Sequence, residues 1–573
     1  MQITEFTIRN FRGIKDLTLE LDSTTVLIGE NNSGKTTVLH ALRACLSKLR
    51  SNGRAVVFDE YDFHLDENSK DPTQAEPIEL ILTFQETDKE WPAEIEQQLG
   101  GDGGIISFVG AEETARIRLK VIAKYSAVTG DVETEFNFLD ANENPLANKN
   151  RSKLYDLQQL RPLFYLSALR DASREFSKTS QFWSPFIKNS QITEEKKKEI
   201  EEQLVEINQE IINAHGTFKH VQEHLSSVQK LVSVAGKDTV SVDALPARVF
   251  DMLSRTQVNI ASVTGAKLPI SRHGEGTQSL SVLMLFDVFL KSELQKENGT
   301  SGIKPIVALE EPESHLHPTA IRTLWQIIKK IDGQKIIATH SGDLLSEVDL
   351  FSIRRLYRAG DDVKVGKIPA ELFQGRELQK FNYWVSRTQG ELYFAKTWIL
   401  VEGETDIILL SGAAKALQFD LEQYGVRLVE YAQSDLSVYL KAAESLGISW
   451  YLFSDGDTAG ERNINKAKSM LPDKLRSRHI GVLPNGESVE PYLCKNGFIQ
   501  VYLDNASEQK LNNLEIDSSA SEYPSAVANC LPKNGKPNAA HAVVAEMIET
   551  PSKVPNIFRF AIYKAAALGR RTR

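Results

Sequence analysis

Cysteine is scarce: Cys45, Cys494 and Cys530 stand far apart in 573 residues and form no Cys-x-x-Cys pair. That argues against a disulfide framework or a cysteine-rich zinc site, and makes a reducing cytoplasm the expected compartment. No apolar run approaches the roughly 18 residues of a membrane-crossing helix. The opening MQITEFTIRN lacks the basic-then-apolar order of a secretion signal. With 34 glycines and 20 prolines the chain is neither collagenous nor low-complexity. Positive charge is not in excess either. Against 77 Asp and Glu stand 67 Lys and Arg, a net charge of −10. This excludes a wholly basic DNA-coating protein, but it allows a local basic groove or acidic residues gathered at metal sites.

What remains is an ordinary globular composition in a chain long enough for three or four domains. Residues 1–22 alternate like strands, through Ile3, Phe6, Ile8, Phe11, Leu17, Leu19 and Leu21. A short apolar strand follows at 25–28, then a glycine-bounded loop, then a helical face of Val38, Leu39, Leu42 and Leu46. Residues 78–84 and 117–123 read as strands, and 131–152 as polar loop. From 193 to 232 the chain is highly charged. Ile200, Leu204, Ile207 and Ile211 recur at helical spacing, and Phe218, Val221, Leu225 and Val228 continue after Gly216. Two amphipathic helices fit, either a dimerisation arm or ordinary surface helices. Buried strands are expected at 303–309 and 335–338, a linker over 360–390, and a second α/β pattern from Thr397. Residues 503–540 read as loop-heavy.

The first chemical signal is Gly29-Glu30-Asn31-Asn32-Ser33-Gly34-Lys35-Thr36, which fits G-x-x-x-x-G-K-[ST] between a strand and a helix. Gly29 and Gly34, with Asn32 between them in the loop, are expected to bind ATP: the glycines let the backbone curl so that N–H groups face phosphate, and the helix adds its positive end. Lys35 would reach the β/γ-phosphates, Thr36 would ligate Mg²⁺, and Thr37 follows on the helix. A later strand ends in Glu310-Glu311. Glu310 is placed to hold Mg²⁺ and Glu311 to polarise an attacking water. His340, at the next strand end, can contact the γ-phosphate. Gly274 and Gly276 lie in Ser271–Ser279, just before an apolar helix through Leu280, Leu283, Leu285 and Phe286, a second anion-suited helix start. Glu313-Ser314-His315-Leu316-His317-Pro318 admits a zinc reading or a subunit-contact loop. Tyr61-Asp62-Phe63-His64 is a candidate metal- or phosphate-sensing loop.

The second signal lies in the C-terminal third. One apolar strand ends in Glu402-Gly403-Glu404-Thr405-Asp406, another in Ser454-Asp455-Gly456-Asp457. Open α/β sheets place their sites at such strand ends. Crowded carboxylates repel unless cations neutralise them, and hard oxygen ligands suit Mg²⁺ or Mn²⁺. Glu490 could add a carboxylate. Lys553, or alternatively Lys564, could stabilise a pentavalent phosphate or leaving group.

The order P-loop, long insertion, Gly274-Glu275-Gly276, Glu310-Glu311, His340 resembles the ABC-type ATPase heads of SMC proteins. The resemblance implies a dimer of heads that sandwiches ATP. The strand-end Glu402 with the later Asp455-Gly456-Asp457 resembles the TOPRIM fold of topoisomerases, primases and some nucleases. The fusion of the two resembles the OLD (overcoming lysogenisation defect) nucleases, in their class 2 branch, which includes the nuclease of Gabija antiphage defence. The expected fold is therefore α/β. Residues 1–190 and 241–390 would form the ATPase, 191–240 a helical dimerisation arm, and 391–573 the TOPRIM domain.

The resemblance implies a cytoplasmic, homo-oligomeric, ATP-binding DNA endonuclease, often with a UvrD-like helicase partner. Glu402, Asp406, Asp455 and Asp457 would hold two ions ~3.5–4 Å apart, with Glu404 as ligand or base. Glu310 departs from the Asp usual at its position. A topoisomerase would need a tyrosine nucleophile in a DNA-gate domain, and a primase template-binding parts. A non-nucleolytic ATP-dependent DNA clamp or nucleotide sensor would keep Lys35 without needing Asp455 and Asp457.

Overall fold

The computed structural model describes residues 1–46, 58–66, 71–86, 91, 93–101, 104–109, 114–146, 151–167, 192–214, 217, 245–246, 248–253, 258–261, 265–296, 304–373, 375–387, 390–432 and 435–570. They form two compact units. One comprises Met1–Tyr165, Lys304–Glu311 and Gly333–Arg573; the other comprises Leu166–Ile303 and Pro312–Asp332.

The first unit holds three sheets. The N-terminal one is built from β1 (Gln2–Phe11), β2 (Ile14–Glu20), β4 (Ile78–Gln85), β5 (Ser107–Val109), β6 (Thr114–Ser126) and β7 (Asp131–Leu139). Its order is β2-β1-β4-β6-β5, with β7 also on β6, and all pairs are antiparallel. One face is buried. In β2, Ile14, Leu17 and Leu19 are inside while Lys15, Asp16, Thr18 and Glu20 face water. The expected loop at 131–152 is instead β7 followed by a helix at Arg151–Leu160. Its alternate residues Val132, Thr134, Phe136 and Phe138 turn away from solvent, and pairing with β6 overrides the polar composition.

The central sheet adds β3 (Thr24–Ile28), β8 (Leu163–Leu166), β9 (Ile306–Glu310), β10 (Gln334–Ala338), β11 (Ile353–Ala359) and β12 (Asp362–Gly366), in the order β12-β11-β3-β10-β9-β8. Strands β11, β3, β10 and β9 run parallel. Their continuous apolar runs are what a sheet covered on both faces requires. Helix α1 (Lys35–Leu46) leaves the β3 loop and buries Val38, Leu39, Leu42 and Leu46. The supposed linker at 360–390 contains β12 and a helix at Glu377–Arg387. Strand β12 is a short edge strand joined to β11 by a turn with Gly360 at φ +68°, so its sequence shows little periodicity.

The third sheet consists of β13 (Thr397–Val401), β14 (Val426–Glu430), β15 (Ser449–Ser454) and β16 (Ile480–Val482). It is all parallel, in the order β14-β13-β15-β16. Around it pack α2 (Glu404–Ala416), α3 (Thr458–Ser469), α4 (Asp473–His479), α5 (Lys536–Glu549) and α6 (Asn556–Arg570). Residues 503–540 are more helical than their composition suggests. Helices lie at Glu508–Asn512 and Tyr523–Asn529, and α5 starts at Lys536. Pro537 reads as a loop former, yet proline fits the first helical turn, where its missing N–H costs nothing.

In the second unit the charged segment forms a helix at Glu194–Ala214. Its buried residues are Leu204, Asn208 and Ile212, while Ile207 is exposed. The buried face therefore differs from the expected one. Asn208 is drawn inside because its amide exchanges two hydrogen bonds with the Leu245 backbone, at 2.7 and 2.8 Å. The expected second helix, through Phe218, Val221, Leu225 and Val228, lies outside the described residues.

One side chain ties the central sheet to the third. Arg355 of β11 is 3% exposed. Its guanidinium donates to the carbonyls of Tyr393 and Ala395 (2.9 and 2.8 Å), and to those of Leu446 and Gly447 (3.0 and 3.2 Å). These segments feed β13 and β15. Close packing at the joint also demands glycine at 447, where φ is +65° and an added Cβ would lie 2.2 Å from the Tyr357 ring. Arg355→Met keeps the side chain's bulk but strands four carbonyls. It should cost about 3 kcal/mol or more in denaturant unfolding; a loss under about 1 kcal/mol would mean that water satisfies those carbonyls in the variant.

Candidate metal centre and nucleotide site

Strands β13 and β15 are neighbours and parallel, so Glu402 and Asp455, each just past a strand end, come to the same edge. Asp406 sits on the first turn of α2, 8% exposed, and accepts from the Gly403 N–H at 3.2 Å. Asp457 caps α3, accepting from the Gly460 N–H at 2.8 Å. Gly456 between the aspartates is required sterically, since a Cβ there would stand 2.5 Å from the Leu483 carbonyl. Glu490, 5% exposed, completes the group.

Their proton affinities report the crowding. Burial first, then Asp406, Glu402, Glu490 and Asp457, push the Asp455 carboxyl up to about 8. Burial, together with Glu490 and Glu402, raises Asp406 to about 7 against two backbone hydrogen bonds. Glu402 is raised by burial, then by Asp457 and Glu490. The buried Glu402 Oε2 has no hydrogen-bond partner. Among the described residues, no three His, Cys, Asp or Glu side chains already form a closed ion cage. The case for a cation rests instead on the donor set, oxygen-only and mutually repelling, and on that orphaned oxygen. The residues fit hard divalent ions.

One site residue escaped the sequence reading. Lys536, at the start of α5, pairs with Glu490 at 2.8 Å. Burial opposes its charge, but Glu490, then Asp455 and Asp406, hold its pKa above the ordinary lysine value. Neither lysine expected here joins the cluster. Lys553 pairs with Glu546, and Lys564 donates to the Ser477 carbonyl at 2.7 Å. Glu404 is exposed on the first turn of α2. Tyr431 was also missed; its buried hydroxyl is held above its usual pKa by burial and then by Glu402.

In the central sheet the P-loop joins β3 to α1. Gly29, Asn32 and Gly34 all have positive φ, the curled backbone that phosphate binding needs. Lys35 donates to the Gly29 and Glu30 carbonyls at 2.8 and 2.9 Å. Burial lowers its pKa to about 8, while Glu311 and Glu30 pull the other way. Thr36 donates to Glu310 Oε1 at 2.6 Å, and Thr37 lies on the same first turn. Glu310 Oε2 accepts from the Tyr165 hydroxyl at 2.5 Å, a partner that no motif announced. His340 Nε2 lies 3.4 Å from Glu311. Burial, then Lys35, depresses the pKa of His340. Hydroxyl and carboxylate thus meet where a nucleotide-bound Mg²⁺ would be ligated, so the residues fit Mg–ATP.

Asp62 accepts from Arg12 at 2.7 Å, which anchors the Tyr61–His64 segment to the β1–β2 turn. Gly274 and Gly276 lie in the second unit at the start of a helix spanning Glu275–Lys296. There His315 pairs with Glu275 at 2.8 Å and His317 caps the helix at Pro318–Lys330. The zinc reading gains no third ligand among the described residues. One further contact joins the two sites' elements: Lys396, the residue before β13, pairs with P-loop Glu30 at 3.0 Å.

Comparison with known proteins follows this division. Residues 1–389 match the family model described as "Protein of unknown function (DUF2813)". Residues 393–457 match "Overcoming lysogenization defect protein-like, TOPRIM domain". The "Uncharacterized protein YbjD" of Escherichia coli is 25% identical over 86% of this chain and 87% of its own. "Endonuclease GajA" of Bacillus cereus is 23% identical over 81% and 76%, and the "OLD nuclease" of Thermus scotoductus 24% over 78% and 81%.

The raised carboxyls have a consequence for stability. Asp406 and Asp455 bind protons more tightly folded than unfolded, so metal-free stability falls as pH rises from about 4 to 8. Chelated protein should melt higher at about pH 6 than at about pH 8.5. Asp455→Asn should flatten that slope, and Mg²⁺ should raise the melting temperature at the higher pH in the wild type alone. An unchanged slope in the variant would contradict the assignment.

Proposed function

We propose that this chain, which belongs to the DUF2813 family and carries an OLD-like TOPRIM domain, is a divalent-metal-dependent DNA endonuclease regulated by its ABC-type ATPase part. The observation that carries the reading is the oxygen-only cluster of Glu402, Asp406, Asp455, Asp457 and Glu490, which shares one strand edge with Lys536. A solvated acidic turn would not keep Asp406 and Glu490 nearly buried, nor leave a buried Glu402 oxygen without a partner. The names of two relatives, an endonuclease and a nuclease, agree with it.

Glu402, Asp406, Asp455 and Asp457 would hold two Mg²⁺ or Mn²⁺ ions. Such a pair supplies an activated water and neutralises charge on the phosphodiester oxygens. Glu490 pairs directly with Lys536, and an ammonium held there would stabilise the negative charge that a pentavalent phosphate gains. Burial of the cluster strengthens both effects by keeping bulk water away.

ATP with Mg²⁺ would be bound by Gly29, Asn32, Gly34, Lys35, Thr36 and Thr37, with Glu310, Glu311 and His340 beside them. Lys35 now holds the Gly29 and Glu30 carbonyls. Turning it to a bound phosphate would free the loop segment whose Glu30 carboxylate holds Lys396 at the foot of β13. Glu402 directly follows β13, so a change at the nucleotide site would reach a metal ligand through this strand. The resemblance to Gabija nucleases extends the proposal to antiphage defence, to a homo-oligomer of heads with Gly274 and Gly276 completing a partner's ATP site, and to a UvrD-like helicase partner.

Plasmid cleavage with Mg²⁺ or Mn²⁺ tests the reading. Asp455→Ala combined with Asp457→Ala should abolish cutting, and Lys536→Ala should slow it about 10²-fold or more. Metal-dependent cutting that persists in the double variant would defeat the proposal in favour of a different site. Lys396→Met should keep basal cleavage but lose the response to ATP.

A further inference from the structure

Helix α6 (Asn556–Arg570) carries an outward face that the metal site does not use. At 100° per residue, Asn556, Arg559, Phe560, Tyr563, Lys564, Ala567 and Arg570 fall within less than half the helix circumference. Phe560 is 58% exposed and Tyr563 48%. Tyr563 touches Phe419 edge-on at 5.4 Å, but about half of its surface stays in water; two aromatics this exposed on a helix whose opposite side is buried call for an explanation. The helix contains no acidic residue.

The charges beside these rings are also unmatched. Arg559 donates to the carbonyls of Val554 and Pro551, Lys564 to the carbonyl of Ser477, and Arg570 lies over the Tyr424 ring. None of the three has a carboxylate partner among the described residues. The Lys564 contact brings α4 (Asp473–His479) alongside, with Lys474, Arg476 and Arg478 against the single Asp473. Together the two helices hold six Lys and Arg to one carboxylate, in a chain whose net charge is −10. The N-terminal end of α6 also touches the catalytic strand. Phe558 packs on Phe453 at 5.6 Å, two residues before Asp455.

We infer that the α4–α6 face is a DNA-strand platform, on which Phe560 and Tyr563 stack unpaired bases while Lys564, Arg570 and Arg478 neutralise phosphates. The inference rests on the nuclease reading and deepens it, by naming single-stranded or frayed DNA leading away from the metal site as the ligand. Aromatics interleaved with cations are the recognition chemistry for such strands, because every base offers a face to stack on. A partner protein of ordinary interface character would leave these cations without counter-charges.

The test is binding of the full-length protein to a fluorescent oligo-dT strand in EDTA, where cleavage is off. Phe560→Ala combined with Tyr563→Ala should weaken binding at least about tenfold with the melting temperature unchanged. Lys564→Gln combined with Arg570→Gln should lower the slope of log affinity against log salt by about 0.7 per lost phosphate contact. Aromatic variants that bind within about twofold of wild type overturn the platform, as does an unchanged salt slope in the charge variants. Aromatic variants that bind DNA normally but change oligomeric state overturn it too, in favour of a subunit interface. A wild-type protein that binds no DNA defeats the nuclease reading itself, whereas a wild type that binds while the variants bind equally defeats only the platform.

Discussion

Five carboxylates, Glu402, Asp406, Asp455, Asp457 and Glu490, gather at the C-terminal ends of the inner strands of a four-stranded parallel sheet, and their burial together with their mutual repulsion is the constraint around which the C-terminal half is built. Nothing in the hydrophobic core asks for them. They are tolerated because backbone N–H groups of Gly403 and Gly460 each hold one oxygen and because Lys536 sits on Glu490. The remaining charge is left for cations to neutralise. Burial first, and the neighbouring carboxylates after it, raise the Asp406 and Asp455 carboxyls to about 7 and about 8, so without cations protons help to neutralise the cluster. A group of residues that costs stability when empty is characteristic of a site kept for chemistry.

The opposite ends of the same strands are held by the central sheet. Arg355 fastens both segments that feed β13 and β15, and Lys396 meets the P-loop's Glu30. The two halves of the acid cluster are thus positioned from below by one buried guanidinium. An Arg in this role suits the geometry, since its planar fork reaches four carbonyls at once. The P-loop thus meets β13 at its start, through Glu30 and Lys396, while the acid cluster begins just past its end.

Much of this was legible in the sequence because the signals are local. The P-loop is eight consecutive residues, and each acid cluster follows directly on an apolar strand. What stayed hidden depends on distant partners. Lys536 follows Asn534-Gly535 and precedes Pro537, so its context reads as a turn; only the docking of α5 brings it to Glu490, 46 residues earlier in the chain. Lys553 looked as suitable, yet it spends its charge on Glu546, one helix away from the cluster. Tyr165 lies on an edge strand whose pairing with β9 is what aims its hydroxyl at Glu310. Arg354 and Arg355 sit between Ile353 and Leu356, and charged residues ordinarily face water, yet both are buried. Asn208 misled the helix phase in the same way, since its burial follows from the Leu245 backbone and not from any periodicity. Polar residues that are buried for a partner's sake are invisible to patterning, and here they are the ones that position the sites.

The central claim, that the carboxylate cluster is a two-ion centre, is tested most directly by counting ions. Nucleotide-free protein titrated with Mn²⁺ and followed by electron paramagnetic resonance should bind about two ions per chain, and Asp455→Ala combined with Asp457→Ala should bind none at that site while keeping ATP binding. Equal Mn²⁺ uptake by the wild type and the double variant would contradict the account, because the ions would then reside elsewhere.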